Sequence, residues 1–537
     1  MWRKLTLQPW SSAAGTAVVV ATFMALVLWP LRDAVVNGTI AGAGPDVAST
    51  MWAMWWFSKE WAGAAWGGTT NLVNFPAGAI GSVLSPVTAA MWTALARPLG
   101  PMAATTWTDV LYLTALLASV SALARVTGLP RVWAVAAGAM VLVPRYPIYA
   151  VGETSLVGVT GITFPLGLYG LLRGQREPRW NVCFAVCLAL TGIEMPYLAP
   201  VLPAIALLGF RSRPALTALA FGTLGLGLIG LMHAHSQSGD FGMMSIVARV
   251  HIGPWKWMVI EAPWARSALR DLFVAGPVRW SLDGSASQAA CGRDYVGLSV
   301  IALSVVGVVA HPKRWPWLLL GVVGMALATG SDWGGYPAPF ALLNGIWWRM
   351  VRGLTQPTRY LLLPAIAFGV GAAHGLEALW QRSRLLGVAG ALAVGLDAFL
   401  FGGLSLRLPT MVLAEPACVS ALRSAGEGGV LLWPWDGVPA SDGVRQRLLQ
   451  MVHEHPTPGF GVGSWKTLGD SPTVQRFDDI GWAAAARGEG ALNVSALRTL
   501  GFRWMIVDLS ASSIAQTHAW FGEPVATCDG YAVHALQ

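Results

Sequence analysis

Charge is what this sequence has least of. Only 12% of its 537 residues are charged, against 55% hydrophobic, and the mean hydropathy is +0.55. Soluble domains carry about 25% charged residues, so the soluble globular class is excluded and the chain reads as a polytopic membrane protein. There is no basic tract despite a net charge of +8, which leaves nucleic acid without a footprint. There is no Walker loop, no Gly-rich dinucleotide fingerprint and no Cys/His zinc spacing. No internal repeat of the inverted-repeat transporter kind is visible. The N-terminal stretch "MWRKLTLQPWSSAAGTAVVVATFMALVLWP" lacks a small-x-small cleavage site beyond its apolar run and reads as a retained helix. Cysteine is scarce, at five residues. Cys183 and Cys187 lie four apart on one face of a predicted span and read as packing residues. Cys418 and Cys528 fall in one predicted soluble domain, where they either pair, if that domain is extracytoplasmic, or stay free.

Tryptophan, by contrast, is abundant at 28 residues, a residue favoured at the membrane interface. Apolar runs place about eleven spans, near Ala14–Leu31, Thr106–Ala124, Arg131–Tyr149, Leu156–Leu172, Trp180–Ile193, Leu198–Phe210, Ala215–Met232, Val296–Ala310, Trp315–Gly330, Leu361–Leu376 and Leu385–Leu404. Pro86–Leu95 is too short to span and reads as an interfacial helix. Arg3 and Lys4, Arg125 and Arg131, Arg173 to Arg179, Arg211 and Arg213, Lys313 and Arg314, and Arg382 and Arg384 mark every alternate loop as short, basic and cytoplasmic. Three long loops, 32–105, 233–295 and 331–360, then share the outer side with everything after Leu404. The expected division is a membrane module, 1–404, and an extracytoplasmic α/β domain, 405–537. In that tail "GVLLWPW", "RWMIVDL" and "YAVHAL" have strand character. "DGVRQRLLQMVHEH" and "NVSALRTLG" look helical, the first starting at Asp442 and the second ending at Gly501.

The first outer loop carries "GPDVASTMWAMWWFSKEW", residues 44 to 61. Asp46 has two readings. One is a helix N-cap that offers an acceptor to free backbone N–H groups. The other is a general base facing a membrane-surface cleft. The segment after it, with Trp52, Trp55, Trp56 and Trp61, is expected to lie flat at the interface with its rings at headgroup depth. A retained first helix followed by an acid in the first outer loop resembles the layout of the clan-C membrane glycosyltransferases, the GT-C fold. Further stretches resemble a bacterial branch of that clan: "NFPAG" and Ser85-Pro86, "VPRYPIYAVGETSLVG", "DYVGLSVIALSVVGV", "YPAPFALLNGIWWRMVRGLTQPTRYLLLP", and in the tail "LGFRWMIVDLS" with "GEPVATCDGYAVHAL" as a closing hairpin. The chain departs from the branch at Ser85-Pro86, at Glu153, where His is common, and near Gln356, where Arg is common.

The resemblance implies a mostly α, polytopic GT-C-like bundle and a membrane glycosyltransferase of the inverting kind. It implies a polyprenyl-phosphate-linked sugar as donor and a glycan, lipid or protein of the envelope as acceptor, met on the outer face of a bacterial inner membrane. Asp46 takes the place of the catalytic acid. Glu153, Glu194 and Asp109 are the other acids near outer helix ends; ionisable groups at membrane depth tend to face a protein interior or a wet cavity. Each therefore either lines the site or sits in reach of interfacial water. Arg359 and Gln356 precede the tenth span, and Arg359 is either a snorkelling anchor or a bidentate clamp on the carrier phosphate. No cofactor is fixed; a divalent ion, magnesium or manganese, is the open candidate for offsetting phosphate charge. The missing nucleotide motifs disfavour a cytosolic nucleotide-sugar donor. A transporter or flippase, or an inactive membrane scaffold, is the alternative reading. The transporter would want ionisable groups near the bilayer midplane.

Overall fold

The computed structural model describes residues 13–42, 45–66, 69–73, 75, 79–80, 86–153, 161–194, 198–209, 213–236, 248–252, 257–261, 267–275, 294–333, 336–341, 343, 357–434, 442–458, 466–467, 480–486, 490, 492–510 and 514–536. Helices dominate: α1 (Ala13–Asn37), α2 (Pro45–Trp66), α3 (Pro86–Leu99), α4 (Pro101–Val126), α5 (Arg131–Met140), α6 (Tyr146–Glu153), α7 (Thr163–Gly174), α8 (Asn181–Glu194), α9 (Val201–Gly209), α10 (Arg213–Ser236), α11 (Leu298–Ala310) and α12 (Trp315–Ala328). Two more described helices, Leu362–Arg382 and Arg384–Leu396, follow.

Among the described residues, each expected span overlaps a helix, but lengths vary. Four helical stretches among the described residues are long and apolar enough to cross a membrane: Gly15–Asn37, Pro101–Val126, Pro357–Arg382 and Arg384–Phe401. Helices α5 to α9, α11 and α12 have 8 to 14 residues, short of the ~20 that a single crossing takes. The stretch Arg131–Tyr149, expected as one span, is a correction. It is two helices, α5 and α6, broken at 141–145. The N–H groups of Val141, Leu142 and Val143 turn to carbonyls three residues back, and Pro144 has no N–H to continue the ladder.

The bundle is organised around Leu362–Arg382, in which every residue from Leu362 to Leu376 is buried. It packs on α5, α11, α12 and Arg384–Leu396. Small residues allow the closest contact: a Cβ on Gly375 would lie 1.9 Å from the Leu303 carbonyl oxygen of α11, the kind of approach that close helix packing in membranes uses.

The tail holds a four-stranded sheet in the spatial order Ala526–Cys528, Tyr531–Ala535, Phe502–Asp508, Gly429–Trp433. Phe502–Asp508 is central. It runs antiparallel to Tyr531–Ala535 (Ile506 opposite Val533) and parallel to Gly429–Trp433 (Ile506 opposite Leu432). The three expected strands are present, and the closing hairpin turns at Asp529-Gly530, both with positive φ. Asn493 caps the helix Val494–Thr499, its Oδ1 accepting from Ala496 N at 3.1 Å.

Cys418 and Cys528 form a disulfide across 110 residues, their Cα atoms 5.7 Å apart. It ties the short helix Ala417–Ser420 to the edge strand Ala526–Cys528. Replacing both cysteines by alanine is expected to cost about 2–5 kcal/mol of tail stability, because the link shortens a long loop in the unfolded chain. Thermal unfolding of the paired variant measures this; an unchanged midpoint would remove the disulfide from the account.

Candidate functional site

The chain just before the Asp46-bearing helix, residues 39–42, is where several segments meet. Helix α1 ends at Asn37 and turns through Gly38, φ 63°, with Thr39 N bonded to Ala34 O at 2.9 Å. This is a Schellman-type stop. The next residues cross to other elements. Ala41 N donates to Thr106 Oγ1 of α4 at 2.9 Å, and Thr106 Oγ1 donates to Thr39 O at 2.8 Å. Ile40–Ala41 pairs with Thr410–Met411 of the tail. Gly42, at φ 93°, lies against the backbone of α6: a Cβ there would meet Gly152 O at 2.7 Å. Only glycine fits that approach and that dihedral.

Helix α2 then begins, with Asp46 in its first turn. Glu153 closes α6, directly after the Gly152 that Gly42 touches. Asp109 follows Thr106 by one turn of α4 and is 3% exposed. Three of the expected site residues therefore belong to segments that converge on 39–42. Glu194 closes α8, which packs on α7 and α10. Arg359 lies in the helical turn Pro357–Leu361, packed on α12 and running into Leu362–Arg382, close to the start expected from Pro357. The side chains of Asp46, Glu153 and Glu194, and the whole of Gln356, lie outside the described residues.

For Trp52, Trp55 and Trp56 the expectation is corrected; the Trp61 side chain lies outside the described residues. Trp52, Trp55 and Trp56 are buried, at 0%, 6% and 0% exposure. They join α3 residue Trp92 and tail residues Leu413, Val430, Leu449, Ile506 and Val533 in one apolar cluster. Trp52 and Trp56 stack at 6.3 Å with planes 6° apart. The rings face protein, not headgroups, because the tail helix Asp442–His453 lies against α2. Trp52 Nε1 donates to Gln450 Oε1 at 2.8 Å, Arg447 donates to Ser49 Oγ, and Lys59 Nζ pairs with Glu454 at 2.7 Å. At the end of that tail helix, burial together with the neighbouring His455 holds His453 near a pKa of about 3. It stays neutral, and its Nδ1 accepts from His455 N at 3.0 Å.

A buried polar network went unread in the sequence. Asp397 Oδ1 accepts from Tyr295 OH at 2.6 Å; its Oδ2 accepts from Ser299 N at 2.8 Å and Ser299 Oγ at 2.6 Å. Arg145 Nε donates to Phe401 O at 2.5 Å, and Arg145 N to Tyr295 O at 3.0 Å. The network joins the 141–145 break, the start of α11 and the end of Arg384–Phe401. Its signal was a single acid and a single arginine inside apolar runs, where ionisable groups are costly unless partnered. Among the described residues, no three His, Cys, Asp or Glu side chains gather as a metal site.

No protein-family model matches the sequence, and no curated protein matches it. Solved structures do match in shape. A mutant of the arabinofuranosyltransferase AftD from mycobacteria aligns with 98% of this chain at 15% identity and TM-score 0.54. The chain spans only 41% of that protein's length. The oligosaccharyltransferase of Archaeoglobus fulgidus aligns with 94% of this chain and 70% of its own, at 11% identity and TM-score 0.50. The chain thus has a GT-C-like fold, the architecture of these membrane glycosyltransferases.

Proposed function

We propose that the protein is an inverting membrane glycosyltransferase. It takes a sugar from a polyprenyl-phosphate donor and gives it to an envelope glycan, lipid or protein on the outer face of a bacterial inner membrane. One observation carries the reading. On a chain of this fold, the segments bearing Asp46, Glu153 and Asp109 meet at the C-terminal end of α1.

In the reaction, an acceptor hydroxyl oxygen attacks the anomeric carbon. The bond from that carbon to the phosphate oxygen breaks, and polyprenyl phosphate leaves. The hydroxyl proton passes to the Asp46 carboxylate. Attack opposite the phosphate inverts the anomeric centre. Glu153, Asp109, Glu194 and Gln356 line the substrate side in this reading. A magnesium or manganese ion bound at the site would offset charge on the phosphate.

Arg359 is the carrier-phosphate clamp, with two parallel hydrogen bonds from its planar guanidinium. Arg359→Lys is expected to weaken donor use while membrane insertion stays normal, because lysine keeps the charge and loses the fork. Donor binding at the wild-type level in that variant would leave Arg359 as an anchor only.

The topology belongs to the same proposal: about eleven crossings, a cytoplasmic N-terminus and an extracytoplasmic tail, 405–537. The Cys418–Cys528 disulfide supports the last point, since disulfides persist in oxidising compartments. A periplasm-active reporter fused after Gln537 should be active and a cytosol-only reporter silent.

The function itself is tested by incubating the purified protein in lipid nanodiscs with radiolabelled polyprenyl-phosphate pentoses and hexoses and an envelope extract. Transfer of label with release of polyprenyl phosphate is expected. No transfer, together with movement of the intact donor across sealed vesicles, would favour a flippase.

A further inference from the structure

We infer that the tail helix Asp442–His453 sets the position of the Asp46-bearing helix, with Gln450 and Arg447 as positioning residues for sugar transfer. The inference rests on the role proposed for Asp46.

Helix α2 is a single rod from Pro45 to Lys59; its dihedrals leave the helical region only at Glu60, φ −127° and ψ 42°. Ser49 and Trp52 lie about 4.5 Å and 9 Å along that rod from Asp46. Both are held by the tail, through Arg447 and Gln450. The far end of the rod is held as well, by Lys59 to Glu454 at 2.7 Å. Gln450 is 1% exposed and uses both ends of its amide. Its Oε1 accepts from Trp52 Nε1, and its Nε2 donates to Leu72 O and to His455 O at 3.1 Å. The chain beyond α2 is bound by the same tail segment: Thr457 N donates to Leu72 O at 3.0 Å, and Phe75 N to Thr457 O at 3.1 Å.

A buried amide satisfied on both sides fixes one register, because any slip orphans a polar group in a low-dielectric interior. The tail therefore does more than cover the bundle. It clamps the first outer loop on both sides of its aromatic helix. A shift of that rod by 1 Å moves Asp46 by the same amount, and misplacement of that size costs about 10²-fold in rate.

The test uses the full-length protein in nanodiscs with Gln450→Leu and Ser49→Ala. The second variant removes one hydroxyl and keeps the fold if the first does not. In Gln450→Leu, kcat for transfer from the labelled polyprenyl-phosphate sugar is expected to fall about 10- to 100-fold at unchanged donor KM. Amide hydrogen exchange over 45–59 should rise about tenfold or more, while exchange over Leu362–Arg382 is unchanged. Ser49→Ala should show the same kcat-only direction, several-fold, at an unchanged melting temperature. Unaltered exchange over 45–59 in both variants overturns the inference whatever the activity. Faster exchange with wild-type kcat also overturns it, since the rod would then be held without mattering to transfer. A wild-type protein inactive toward the donor defeats the transferase reading alone, and the exchange comparison still decides whether the tail clamps the helix.

Discussion

Asp46→Asn is expected to slow sugar transfer by about two orders of magnitude or more, with expression at the wild-type level. The amide matches the carboxyl in size and still accepts a hydrogen bond, so a capping role in the first turn of α2 survives the change. What it cannot do is take the acceptor's proton, and general-base assistance is typically worth about 10²–10⁴-fold. The loss should appear in kcat and kcat/KM together, because the proton moves only in the transition state. Steady-state transfer from a labelled polyprenyl-phosphate sugar measures both. Turnover like the wild type would leave Asp46 as a cap and pass the base to Glu153 or Asp109, whose segments reach the same turn of chain.

Trp52→Ala carries the second large effect, this time on stability. The ring is fully buried, stacks on Trp56 and donates to Gln450. Truncating a buried aromatic to alanine costs about 3–5 kcal/mol. The Gln450 carbonyl left without its donor adds about 1–3 kcal/mol. A ring lying at headgroup depth would behave as a surface position, with a change within about 0.5 kcal/mol. Thermal unfolding in detergent separates the two, and a midpoint equal to the wild type would return the tryptophans to the membrane surface.

Apolar runs located the helices, because hydropathy reports burial directly. The same property does not say whether lipid or protein does the burying. "MWAMWWF" reads equally well against either, and its partner Gln450 lies 398 residues from Trp52. The strand run "RWMIVDL" was legible because β-branched residues flanked by turn residues have few other uses. The break inside Arg131–Tyr149 was signalled by Pro144, which was outweighed by the apolar residues around it. The pairing of Cys418 with Cys528 depends on backbone geometry and was open until the tail's fold set their separation.

The candidate site was legible in its parts and not in its assembly. Asp46, Glu153 and Asp109 stand out as acids beside or within apolar runs. That their chain segments meet depends on Gly42, whose positive φ and contact with Gly152 leave no mark in a single sequence. Asp397 did leave a mark, as a lone acid in the last apolar run. Its partners Tyr295 and Ser299 lie about a hundred positions upstream.

The most direct test of the central claim is a density map of the protein with a polyprenyl-phosphate sugar bound. The account predicts the isoprenoid chain against the bundle and the sugar–phosphate linkage within hydrogen-bonding reach of Asp46. A carrier bound away from α2, or a continuous pathway through the centre of the bundle, would contradict it.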